Sequence, residues 1–91
     1  MERHKSYRIA KRLIDSGDCK ELRDVFEPLP VTVVAKDLGV SVERLTGLIE
    51  KVEDFRFREL YRLAELIGVA GKVLIDLADA QHENDKKKRK K

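Results

Sequence analysis

The side chains able to do chemistry here are two histidines, one cysteine, scattered carboxylates and many lysines and arginines. Nucleophilic or acid–base catalysis needs a base within hydrogen-bond reach of its partner. His4 and His82 lie near opposite ends of the chain, and Cys19 has no partner at metal-ligand spacing. Asp76, Asp79 and Glu83 share one side of a helix, the pattern of a solvated face. Gly17, Gly39, Gly47, Gly68 and Gly71 are too scattered to build a phosphate-cradling or dinucleotide loop. The expectation is a protein that is not an enzyme and carries neither cofactor nor metal.

The cations point to a different chemistry, contact with an anionic polymer. The net charge of +3 is unevenly spread: residues 1–12 carry +4, residues 86–91 (KKKRKK) carry +6, and the stretch between them carries −7. An acidic centre thus lies between two basic arms. His4, Lys5, Arg8, Lys11 and Arg12 fall near one side of a helix, placed for phosphates. A membrane reading fits poorly, because the apolar face of that helix is short and lacks tryptophan. No apolar run reaches the ~20 residues a membrane span needs. Phe55-Arg56-Phe57-Arg58, with Arg62 one turn on, interleaves aromatics with cations. Nucleobase stacking is one use of such a pattern. The preferred reading puts Phe57 in the core and leaves Phe55 exposed as a dimer contact. The start MERHKSYR has no apolar stretch of signal type, and a single cysteine suits a reducing compartment, so a cytoplasmic location is expected.

These residues must be positioned by short helices. Tyr7, Ala10, Leu13 and Ile14 recur at helical spacing, and Gly17 ends the first helix. A second fits Cys19 to Glu27, before the break at Pro28-Leu29-Pro30. Val31 to Leu38 is the third, and Ser41 caps a fourth bearing Leu45, Leu48, Ile49 and Val52. The fifth runs from about Phe57 to Ile67 with Leu60, Leu63, Ala64 and Ile67 inward, and the sixth from Lys72 to Ala80. From about residue 81 the chain turns polar with no apolar face, so disorder is expected there. Gly68 and Gly71 also match the GxxG loop of a KH domain, but that fold needs a sheet, and no convincing strand is present.

The turn between the third and fourth helices has the most specific pattern. Ala35 is small where two axes approach, Gly39 supplies a positive φ, and Val40 plugs the core. Val34, Leu38, Leu45 and Leu48 close the interior. In these residues the chain resembles the helix-turn-helix of the phage-repressor and Cro family of XRE-type regulators. Residues 60–69 (LYRLAELIGV) and 72–78 (KVLIDLA) resemble later helices of that family, so the resemblance spans about 19–80.

The resemblance implies an all-α, compact five-helix repressor-like bundle over residues 19–80. A basic helix or arm over 1–18 is an addition, and 81–91 is a disordered Lys/Arg-rich tail. It further implies a small transcriptional regulator that binds double-stranded DNA, usually as a homodimer. Helix 42–51 would enter the major groove and present Ser41, Val42, Glu43, Thr46, Gly47 and Glu50 to base edges. Thr32, Arg44 and Lys51, with Arg8, Lys11 and Arg12 of the basic arm, are the phosphate candidates. Two features depart from the family. Val31 stands where glutamine is common, and the reading face carries two carboxylates and no amide. Glutamate accepts from cytosine N4 but is repelled by phosphate. Two alternatives therefore stand beside DNA: a protein-interaction module that offers this acidic face to a basic partner, and RNA or ribosome association through the tail.

Overall fold

The computed structural model describes residues 4–89, all of whose regular elements are helical. Residues 1–3 of the N-terminal arm and 90–91 of the tail lie outside the described residues. The order is α1 (Lys5–Asp15), α2 (Leu22–Val25), α3 (Val31–Leu38), α4 (Val42–Glu50), a 3₁₀ turn (Val52–Asp54), α5 (Phe57–Ile67) and α6 (Gly71–Arg89). No described helix is long and apolar enough to cross a membrane.

Each boundary has a local cause. At the start of α1, His4 Nδ1 accepts from the Ser6 N–H at 3.2 Å. At its end Gly17 turns left-handed, φ 82°, and the Asp18 N–H returns to the Leu13 carbonyl at 3.0 Å. Helix α2 is a single turn, shorter than the expected Cys19–Glu27. The Asp24 carboxylate explains the difference: it accepts from the N–H groups of Lys20 and Glu21 at 3.0 and 3.1 Å, so the helix starts only at Leu22. Helix α3 opens directly after Pro30, whose carbonyl accepts from the Val34 N–H.

The core is built from all six helices. Tyr7 and Ala10 of α1, Leu22 and Val25 of α2, Val34 and Ala35 of α3, and Leu45 and Leu48 of α4 are buried. They meet Leu60, Leu63, Ala64 and Ile67 of α5 and Leu74 and Ala78 of α6. Leu13, Ile14, Leu38 and Val40 are half-buried at its edge. A polar tie joins α1 to α3: the Tyr7 hydroxyl donates to the Asp37 carboxylate at 2.7 Å. Burial first, then this bond, pushes the Tyr7 hydroxyl well above the ordinary tyrosine range.

Two expectations are corrected. Phe55 is buried and Phe57 is 68% exposed, the reverse of the preferred reading. The 3₁₀ turn inserts before α5 and swings Val52 and Phe55 into the core, while Phe57 stands on the outer edge of α5 beside Tyr61, one turn on. The second correction concerns the tail. Through Arg89 it is not disordered but continues α6. The inward positions Leu74 and Ala78 are followed at the same spacing by Gln81, which is fully buried, and by half-buried Asp85. The stripe keeps its helical period and changes from apolar to polar, so the inward face of α6 runs on beyond its last apolar residue. The side chain of Gln81 donates to the Ile49 carbonyl and accepts from the Arg23 N–H, both at 2.7 Å. Arg23 grips the Asp85 carboxylate at 2.8 and 3.0 Å, and Asn84 donates to Glu21 at 2.7 Å.

Candidate nucleic-acid interface

The link between α3 and α4 is three residues long. Gly39 takes the left-handed conformation, φ 75° and ψ 30°, and the Val40 N–H bonds back to the Ala35 carbonyl at 2.9 Å. Ser41 then caps α4 by accepting from the Arg44 N–H at 3.0 Å. With Leu45 and Leu48 buried, the helical period sets Val42, Glu43, Thr46, Gly47 and Glu50 on the opposite face. All five are exposed, as is Ser41, so the six residues expected to face bases lie together on the outside of α4.

Their chemistry is partly committed. The Thr46 hydroxyl donates to the Val42 carbonyl of its own helix at 2.8 Å. Arg44 forms a two-pronged pair with Glu59 of α5 at 3.0–3.3 Å. Glu59 also accepts from the Arg56 N–H at 2.9 Å and so closes the first turn of α5. Its importance was hidden in the sequence, although a glutamate three residues after a helix boundary is a known capping signal. Glu43 and Glu50 have no ion-pair partner among the described residues.

Beside Gly47 an open depression is lined by Glu43, Glu50 and Asp54 on the acidic side, and by Arg44, Lys51 and Arg56 on the basic side. The face is therefore mixed in charge. Lys51 stands exposed at the end of α4, and Thr32 is exposed in the first turn of α3. Arg56 joins this cluster although its place in the sequence linked it only to the aromatic run. Arg8, Lys11 and Arg12 are exposed on α1, which packs chiefly on α5 and α2. Lys11 is also paired with Asp15 at 2.7 Å. The basic arm and the α4 face are thus carried by separate helices.

Cys19 is buried, and burial, followed by Asp24 and Asp18, raises its thiol above the usual value. That shift disfavours the thiolate a nucleophile needs. No cluster of three or more metal-ligating side chains occurs among the described residues. Comparisons with family models, curated proteins and solved structures return no match.

Proposed function

We propose that the protein binds double-stranded DNA in a sequence-selective way, with α3, the Gly39 turn and α4 acting as a helix-turn-helix and α4 seated in the major groove. The observation that carries this reading is Gly47. A glycine inside a helix costs about 1 kcal/mol relative to alanine. Gly47 lacks the positive φ that would require it, and a Cβ there would meet nothing within 4 Å. Neither backbone conformation nor internal packing explains the residue. A surface approached closely from outside does, and Gly47 lies at the centre of the exposed α4 face.

The flanking groups support DNA over the alternative of an acidic docking face for a basic protein. Lys51 and Arg56 border Glu43 and Glu50, so the face is not uniformly negative. Lys51 and Thr32 serve as phosphate contacts in this reading, and Val42 and the Thr46 methyl supply apolar contact to thymine. Exposed Arg8, Lys11 and Arg12 add sequence-independent affinity.

The test is fluorescence anisotropy of the full chain with a pool of duplexes at low salt, comparing wild type with Gly47→Ala. The wild type binds, and the variant binds about 10-fold more weakly while remaining folded, the scale of one lost base contact. Absence of binding to any duplex at low salt defeats the proposal.

A further inference from the structure

Arg44 and Lys51 stand near opposite ends of α4 and line the same depression beside Gly47. Their surroundings differ. Lys51 is exposed and has no ion-pair partner among the described residues. The Arg44 guanidinium is engaged: Nε donates to one Glu59 oxygen at 3.3 Å, and Nη2 donates to both oxygens at 3.0 and 3.1 Å. A fork of this kind fixes direction as well as charge. The tie runs from the first turn of α4 to the first turn of α5, while α4 itself packs on α3, α2 and the 3₁₀ turn. The Glu59 side chain is only 12% exposed, against 39% for Arg44. Were Arg44 to swing out to a phosphate, a carboxylate largely out of water would lose its counter-charge, which is costly. The phosphate offered in exchange is hydrated and screened by salt. The balance favours Glu59.

Given the DNA reading above, on which this rests, we infer that Glu59 withholds Arg44 from the phosphate backbone and keeps it as a positioning residue for α4. Lys51 is then the cation of α4 that meets phosphate. Phosphate contacts strengthen binding to every sequence alike. By occupying Arg44, Glu59 lowers this unselective share and leaves discrimination to the outward face of α4. Glu59 thus sets selectivity without touching DNA itself.

Fluorescence anisotropy of the full chain with a duplex of random sequence, over a sodium chloride series, tests this. Wild type is compared with Glu59→Gln and with the double variant Glu59→Gln, Arg44→Gln. The Gln side chain keeps an oxygen for the Arg56 N–H, so the start of α5 is preserved. Each neutralised phosphate steepens the plot of log K against log salt by about 0.9. Glu59→Gln releases Arg44, so its slope exceeds that of the wild type by one such step and its low-salt affinity is higher. The double variant has the net charge of the wild type, and its slope returns to the wild-type value. A merely structural pair would change thermal stability in both variants without splitting their slopes. An unchanged slope in Glu59→Gln overturns the inference. So does a double variant shallower than wild type by about 0.9, the mark of an Arg44 already on phosphate. If the wild type binds and either result is found, the DNA reading stands and this inference falls; absence of binding by every protein defeats both.

Discussion

Helix α4 and the distal half of α6 are both polar, yet they dispose of their polar groups in opposite ways. On α6, Gln81 and Asp85 bond to Arg23 of α2, Asn84 bonds to Glu21 just before it, and Gln81 also holds the last turn of α4 through the Ile49 carbonyl. On α4, Glu43 and Glu50 point outward without ion-pair partners among the described residues, around a glycine with open space over it. The first segment completes the fold and the second is presented to the outside. Polarity alone does not separate these roles; what separates them is whether the groups find partners within the chain.

That contrast can be broken most severely at Gln81. Gln81→Leu leaves the Ile49 carbonyl and the Arg23 N–H without their partner and is expected to cost about 3 kcal/mol, read from urea unfolding. Helicity should fall with it, because residues 81–89 lose their anchor. If the loss is negligible, the distal half of α6 is decoration and the comparison fails.

Tyr7→Phe comes next, at about 2 kcal/mol for a hydrogen bond to a carboxylate. The bond requires the protonated hydroxyl, and the folded-state value is raised. Its contribution is therefore complete below the unfolded tyrosine value of about 10 and is lost as pH climbs toward the higher folded value. Wild type should lose stability above that point more steeply than Tyr7→Phe, as followed by circular dichroism.

Asp85→Asn weakens the grip on Arg23. The arginine is 41% exposed, so solvent screening limits the loss to about 1 kcal/mol or less. Added salt should narrow the gap between this variant and wild type. Smallest, and opposite in sign, is Gly47→Ala. In open space at ordinary helical φ, alanine should raise stability by about 0.5–1 kcal/mol in thermal unfolding. A gain in stability with a loss in DNA affinity would separate the presented helix from the structural one.

The α3–α4 unit was legible because its determinants are local. Gly39 is needed for a positive φ, Ser41 for a cap, and Ala35, Leu45 and Leu48 for packing, and each is specific in type and spacing. The outward set Val42, Glu43, Thr46, Gly47 and Glu50 followed from the helical period. The misplaced parts depend on distant partners. Gln81 bonds to residues 58 and 32 positions away, so its neighbours in sequence say nothing of its burial. Phe55 and Phe57 exchanged places because the Val52–Asp54 turn shifts the chain before α5, and two aromatics two apart give no local clue to which goes in. The pairing of Arg44 with Glu59, 15 residues on, was hidden for the same reason.

Selection from a random duplex library, with the wild-type chain and with Thr46→Glu in parallel, decides whether α4 reads base sequence. Thr46 is exposed, so its replacement alters the α4 face and not the core. If α4 reads bases, the wild type enriches a sequence motif that Thr46→Glu loses. Enrichment of no motif, or of the same motif by both proteins, would contradict it.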